Sequence, residues 1–148
     1  MKTIKTFRGL LEDGQQERIA LQHIDGKTGY RIKQLRAMPT DPGASDGELI
    51  IKVFSVKQTV IDGIVNFSEQ TLLGASYVNN YTSGFVGGNN ETVIFDGMVF
   101  NQDIFVTAFD GKNNNSINYY LELETFDLND VEATATILKN FRNTNTVA

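Results

Sequence analysis

The sequence contains no cysteine and a single histidine, His23. The missing cysteines exclude disulfides, thiolate metal sites, iron–sulfur clusters and a cysteine nucleophile. A Ser-His-Asp arrangement would have to use His23, which lies near the end of a predicted strand, where a histidine is usually a hydrogen-bonded or solvated bystander. We therefore expect neither catalytic residues nor a bound metal or cofactor.

Positive charge is also scarce: 13 Lys and Arg residues stand against 18 Asp and Glu residues, and the formal net charge is −5. A phosphate backbone is bound by clustered Lys and Arg. The densest local group, Arg31, Lys33 and Arg36, alternates with apolar residues and is typical of a solvated strand face. No apolar run approaches the roughly 20 residues of a membrane helix. We expect neither nucleic acid nor membrane as a partner.

The 148 residues, 41% hydrophobic and 21% charged, have the balance of a globular chain. A chain of this length buries a sufficient core without a disulfide or a metal. We predict a single domain spanning residues 1–148.

Asp-Gly occurs six times, at intervals that suit strands joined by tight turns. Gly adopts positive φ without steric cost, and Asp-Gly is a preferred hairpin turn. Between the turns, apolar residues alternate or run together as they do in strands. The pattern predicts strands near residues 2–10, 16–24, 29–38, 48–57, 70–79, 91–100, 103–110 and 116–128.

These eight strands predict an all-β fold, a two-sheet antiparallel β-sandwich, with the eight-stranded jelly roll as the closest arrangement. In the last strand Ile117, Tyr119, Leu121 and Leu123 share one face and are expected to pack, while Glu122 and Glu124 on the opposite face stay wet. In residues 48–57 both faces carry apolar side chains, so the sequence allows burial on both faces.

The segment 128–148 supports two structures. Val131, Ala135, Leu138 and Phe141 fit a short amphipathic helix, and Asn129 with Glu132 has the spacing of a capping box. The alternation of Val131, Ala133, Ala135 and Ile137 fits a strand instead. We favour a short helix or arm that docks on a neighbouring subunit through Val131, Leu138 and Phe141.

Residues 79–91 are rich in Asn and Gly and predict a long surface loop. Tyr81 and Phe85 lie in this loop. They either fold back onto the sandwich edge or anchor a partner surface.

Oxygen-bearing side chains suggest two further sites. Glu122 and Glu124 have the arrangement of a carboxylate pair but are more typical of a solubilising strand face. Two loops, with Asp41, Ser45, Asp46 and Glu48 in one and Asp127, Asn129, Asp130 and Glu132 in the other, lack the EF-hand pattern. A turn is the favoured interpretation of both.

Several stretches resemble small structural proteins encoded by marine bacteriophages: GYRI at 29–32, IDGIVNF at 61–67, FNQDIFV at 100–106, NYYLELE at 118–124 and LKNFRN at 138–143. The resemblance implies a virion component of the jelly-roll or sandwich type, such as a minor capsid, vertex, spike or decoration protein, and it brings no catalytic residues.

The leading hypothesis is therefore a non-enzymatic virion structural protein, assembled in the host cytoplasm. We expect it to bind capsid or other virion proteins and to form a homo-oligomer, a trimer or a pentamer, through sheet edges and the C-terminal segment. The alternative is a carbohydrate-binding or host-recognition sandwich that stacks a host-surface glycan on Tyr81, Phe85, Tyr119 or Tyr120.

Overall fold

Eight strands and one helix make up the computed structural model, which describes residues 3–44, 46–80, 90–95 and 97–145, with residues 130 and 140–145 described by their backbone only. The strands are β1 (Thr3–Leu11), β2 (Gln16–Ile19), β3 (Thr28–Pro39), β4 (Gly47–Phe54), β5 (Leu72–Asn80), β6 (Asn90–Ile94), β7 (Ile104–Asp110) and β8 (Ile117–Asp127). The helix is α1 (Asp130–Asn145). The predicted all-β class and the eight strands are confirmed.

β2 and β6 are each five residues shorter than the sequence predicts. β2 ends at Ile19 because the backbone N–H groups of Leu21 and Gln22 donate to the Asp103 carboxylate, at 2.8 and 2.9 Å, rather than to a neighbouring strand. β6 ends at Ile94. Beyond it, Phe100 pairs with Tyr30 of β3 through an isolated antiparallel bridge.

The Asp-Gly pairs do not all form the expected turn. Among the described glycines only Gly14 and Gly26 have positive φ, 81° and 66°. At Asp110 the turn is organised instead by the carboxylate, which accepts backbone N–H groups of Lys112, Asn113 and Asn115. Asp13-Gly14 and Asp25-Gly26 thus lie at turns where Gly has positive φ, whereas the turn at Asp110 forms without it, and Asp96 lies outside the described residues.

The strands form two antiparallel sheets. The smaller has the order β1-β8-β3 and the larger the order β2-β7-β4-β5-β6. The pairs β1–β8, β2–β7 and β4–β5 are three of the four nested pairs of a jelly roll. The fourth nested pair would join β3 to β6, but β6 pairs with β5. The fold is a β-sandwich with jelly-roll strand order and one displaced strand.

The core lies between the two sheets. In β8 the residues Ile117, Tyr119, Leu121 and Leu123 are buried and alternate with half-exposed neighbours, as predicted. In β4 every residue from Leu49 to Phe54 is buried, so both of its faces are buried, as the sequence allows. The outer face of β4 is covered by residues from the connection 55–71, which the Lys52 side chain contacts.

The C-terminal segment is helical, and its N-terminus is a capping box. The Asn129 side-chain oxygen accepts the Glu132 N–H at 2.8 Å, and the Glu132 carboxylate accepts the Asn129 N–H at 3.2 Å. The side of the helix that carries Val131 and Leu138 does not pack on the sandwich. Ala133 is buried and Ile137 approaches Gly26, while Val131 and Leu138 are exposed. The helix packs through Ala133 and Ile137, which lie one turn apart. Asn101 lies beside them, and its side-chain amide donates to the Ala133 carbonyl at 3.3 Å.

Candidate functional site

The connection between β4 and β5, residues 55–71, is held against the outer face of the larger sheet by a buried lysine. The Lys52 ammonium donates to the Ile64 carbonyl oxygen at 2.7 Å and lies 3.3 Å from an Asp62 carboxylate oxygen. Only 5% of Lys52 is exposed, and its charge also lies 5.4 Å from the centre of the Phe54 ring. A buried ammonium without such partners would be strongly unfavourable, so these contacts fix the position of the connection.

Large apolar side chains remain exposed on this connection and on the adjoining edge strand. They are 38% to 70% exposed: Val60, Ile64, Val65, Phe67 and Val93. We call this group the apolar surface. Single exposed apolar residues are common on proteins, but a contiguous group of them marks an interaction site.

Three residues of the apolar surface, Val65, Phe67 and Val93, line an open cleft of about 580 Å³. Its floor is formed by Ile50 of β4 and Ala75 of β5, and Phe67 stands on its rim. The Phe67 ring meets the Phe95 ring edge-on, with centres 5.4 Å apart and planes at 86°. This geometry is favourable for aromatic pairs and orients an otherwise exposed ring.

Polar groups also line the cleft. They belong to Asn66, Glu91 and Tyr77, and the Tyr77 hydroxyl donates to the Asn79 side chain. The Asn66 oxygen accepts the Ser68 N–H and hydroxyl, at 3.0 and 2.6 Å, so this amide oxygen is already occupied. The cleft therefore offers aromatic and aliphatic area with a few fixed polar groups, a combination typical of binding sites.

The outer face of the smaller sheet carries cross-strand rows. In one row Arg8 of β1, Tyr120 of β8 and Arg36 of β3 are direct neighbours, and the next contains Leu10, Asn118 and Met38. Tyr120 lies on this wet face, but Tyr119 points into the sandwich, where its hydroxyl donates to Glu17 at 2.5 Å. Burial and this bond raise the pKa of Tyr119 above its ordinary value. Tyr119 is therefore excluded as an exposed stacking platform.

The residues predicted to bind partners are distributed differently. Tyr81 and Phe85 lie outside the described residues. Val131 and Leu138, 78% and 62% exposed, share the outer side of α1, and no described residue of α1 lines the cleft. The side chain of Phe141 also lies outside the described part of the chain.

The predicted bystander role of His23 matches its contacts. Its Nε2 atom lies 3.0 Å from the hydroxyl of Tyr30, which donates to the Leu21 carbonyl at 3.2 Å. Glu124 is paired with Arg31 at 2.6 Å, and Glu122 accepts the Tyr120 hydroxyl at 3.2 Å. Both carboxylates of the pair considered for catalysis thus serve contacts along the sheet surface.

The two acidic loops do not assemble a metal site where the structure describes them. Among the described side chains, which do not include Asp130 or residues 140–145, no group of three or more acidic, His or Cys residues could hold a metal ion. Ser45 of the first loop lies outside the described residues, and Asn129 and Glu132 of the second are joined in the capping box. Within residues 3–44, 46–80, 90–95 and 97–145 no helix has the length and apolarity that crossing a membrane requires.

The apolar surface was missed by sequence reasoning. Its loop residues stand in the segment 60–67, where apolar side chains alternate irregularly with Asp62, Gly63 and Asn66 and match neither strand nor helix periodicity. The excess of large apolar residues in 60–67, between two predicted strands, is the sequence signal that could have indicated this surface.

Comparison with known proteins identifies no family. No family model matches the chain, and no curated protein matches it. One solved structure that the comparison returns is described in the words "Bacillus endospore appendages form a novel family of disulfide-linked pili". It is 11% identical, with a TM-score of 0.31, over 87% of this chain and 92% of the other.

Proposed function

We propose that the protein is a non-enzymatic structural subunit of a virus particle, of the minor capsid, vertex, spike or decoration type, and that it acts through protein–protein contacts. The observation that carries the proposal is the apolar surface, which presents five large side chains on a connection anchored by Lys52 and on the adjoining strand. The assignment to a virion rests on the resemblance to bacteriophage structural proteins. A fold alone would not support it, because sandwiches host many functions.

The anchoring is what makes the apolar surface suitable for a partner. A flexible loop would lose conformational entropy on binding, whereas a connection already fixed by buried hydrogen bonds loses little. Phe67 has the features of an interface anchor, since it is a rigid aromatic residue at the rim of a cleft. Neighbouring aliphatic residues, Ile64 and Val65, would surround it and exclude water.

A second candidate function is carbohydrate binding. Phe67 and Tyr77 line the same cleft, together with the Asn66 amide and the Glu91 carboxylate. A saccharide presents an apolar face that stacks on aromatic rings and hydroxyls that bond to amides and carboxylates. Virion attachment to a host-surface glycan would use the same cleft.

The substitution Phe67→Ser separates these functions. We expect the variant to fold, because Phe67 is 56% exposed. Its incorporation into virus particles should fall at least about tenfold, since removal of an interface anchor costs roughly 2 kcal/mol or more. Ile24→Ser, which removes an apolar side chain that is fully exposed elsewhere, is the matched control.

A glycan array probed with the wild-type protein completes the test. If Phe67→Ser incorporates normally but loses a saccharide that the wild type binds, the carbohydrate function replaces the structural one. If it incorporates normally and no saccharide binds to either protein, the apolar surface has neither role.

A further inference from the structure

Because β6 is displaced to the larger sheet, no strand of the described residues pairs with the outer edge of β3. In a regular jelly roll the smaller sheet would continue from β3 to β6, but here it ends at β3. Tyr30 is the last point of contact along this edge, where its N–H and C=O bond to Phe100 at 2.8 and 3.0 Å. Further along β3, within the described residues, no backbone partner lies on this side.

The alternation of the ladder shows which backbone groups are free. The Tyr30 groups point away from β8, and a β-bulge follows between Ile32 and Gln34. Counting from the bulge, Gln34, Arg36 and Met38 bond to β8, so Leu35 and Ala37 direct their N–H and C=O groups outward. Pro39, which has no N–H, occupies the next outward position, as expected for proline on a free edge.

The opposite side of the gap is the free edge of β6. Phe95 donates its N–H to Leu73 of β5 at 3.1 Å, so the alternate residues Asn90, Thr92 and Ile94 point their backbone groups away from β5. A cleft of about 390 Å³ lies between the two edges, and it is lined by these three residues and by β3 from Lys33 to Met38. We call this gap the β3–β6 seam.

The two sides of the β3–β6 seam differ in chemistry. Toward the core it presents the apolar side chains of Leu35, Ala37 and Ile94. Toward solvent it presents Lys33 and Arg36, and no acidic residue among those described lines it. Among the described residues neither cation forms a salt bridge, and the Arg36 guanidinium lies beside the neutral Gln34 amide, whose oxygen would accept from it at 2.6 and 2.8 Å once the amide O and N are exchanged.

We propose that the β3–β6 seam binds an extended segment of a partner protein whose side chains alternate between apolar and acidic. The segment would add to β3 as the fourth strand of the smaller sheet through the free groups of Leu35 and Ala37. Its apolar residues would enter the cleft, and its acidic residues would stand across from Lys33 and Arg36. Five or six residues, about 17–20 Å of strand, match the free length of β3.

The probe is the synthetic peptide Val-Glu-Thr-Glu-Val-Glu, blocked at both ends, with the same peptide carrying Lys in place of Glu as its control. Hydrogen exchange of the labelled protein is followed by NMR. In the free protein the Leu35 and Ala37 amides should exchange quickly and those of Gln34 and Arg36 slowly. The acidic peptide should protect Leu35 and Ala37, and the lysine peptide should not.

Two variants assign the binding to the seam. Ala37→Pro removes an outward donor without removing a bond to β8 and should abolish binding, whereas Thr6→Pro, at an equivalent outward position on the free edge of β1, should not. Arg36→Glu keeps every backbone bond and should weaken the acidic peptide about tenfold.

The proposal is overturned if the acidic peptide does not bind at millimolar concentration, or if Arg36→Glu leaves its affinity unchanged. It is also overturned if Leu35 and Ala37 are already protected in the free protein. Concentration-dependent protection would then assign the seam to a second copy of the chain. The isolated protein suffices for this test, so a negative result leaves the role of the apolar surface open to its own experiment.

Discussion

At the scale of single residues, the loop between β7 and β8 depends on one buried carboxylate. Asp110 is 4% exposed and accepts five hydrogen bonds, four from the backbone N–H groups of Glu48, Lys112, Asn113 and Asn115 and one from the Asn115 side chain. Burial by itself would raise the pKa of Asp110, but these donors outweigh it and hold the pKa below its ordinary value. The ionised form is therefore the one that the fold stabilises.

We predict that Asp110→Asn lowers the free energy of unfolding at pH 7 by about 1–3 kcal/mol, because an amide nitrogen would then face backbone donors. A depressed pKa in the folded state contributes stability above the unfolded value, near 3.9, and that contribution is lost as the pH falls through the folded value. Urea denaturation of both proteins between pH 7 and pH 2 measures this.

The difference between wild type and variant should accordingly shrink in acid. Asp41→Asn, at an exposed turn position, should behave like the wild type at every pH. A difference that stays constant down to pH 2 would contradict the role assigned to the ionised carboxylate.

At the scale of elements, the connection between β4 and β5 and the helix α1 each combine an anchored side with an exposed apolar side. Lys52 anchors the connection, and Ala133 with Ile137 anchors the helix. The exposed sides carry Ile64, Val65 and Phe67 in one case and Val131 with Leu138 in the other. Each element is thus held by the fold with apolar side chains exposed on its outer side.

The anchoring of the connection can be tested by Lys52→Met, which keeps the length of the side chain and removes its hydrogen bonds. The Ile64 carbonyl loses its partner, so we expect the amides of residues 60–67 to exchange at least about tenfold faster, since a lost bond to a charged group costs roughly 1.5–3 kcal/mol. Lys57→Met, an exposed lysine at the start of the same connection, is the control. Unchanged exchange in Lys52→Met would show that other contacts hold the connection.

The outer side of α1 is tested by Val131→Ser combined with Leu138→Ser. Because both side chains are exposed, we expect the melting temperature to stay within about 2 °C of the wild type, the change expected of a surface substitution. If the protein forms the homo-oligomer expected from its sequence, light scattering should show that the double variant no longer assembles. Ile24→Ser should leave the oligomer intact, and a double variant that keeps its oligomeric state would exclude α1 as the assembly element.

Deleting α1 would be a less specific experiment than this double substitution. Asn101 is fully buried and donates to the Gly26 carbonyl at 3.0 Å as well as to the Ala133 carbonyl. Removal of the helix would therefore expose buried polar groups and destabilise the sandwich whether or not the helix binds a partner.

At the scale of the whole molecule, the sequence predicted what depends on local pattern. The alternation in β8 predicted its buried and wet faces, and the spacing of Asn129 and Glu132 predicted the capping box. The side of α1 that packs on the sandwich depends on nonlocal neighbours, because Ala133 and Ile137 lie beside Gly26 and Asn101 while Val131 and Leu138 are exposed.

The pairing of the strands could not be predicted from the sequence either, because it also depends on nonlocal contacts. The residues of β6 do not determine whether it pairs with β3 or with β5, because both strands offer equivalent backbone groups. The packing of the whole sandwich selects β5. The β3–β6 seam and the apolar surface both follow from nonlocal placement. Neither leaves a periodic signal in the sequence.

We propose that the protein is a structural subunit of a virus particle. Quantitative mass spectrometry of gradient-purified particles, compared with the lysate of infected cells, tests it most directly. The account predicts that the chain sediments with intact particles at a fixed copy number per particle, in a multiple of three or five, and that the Phe67→Ser variant is depleted from them. Recovery of the wild-type chain only from the soluble lysate, and never from particles, would contradict it.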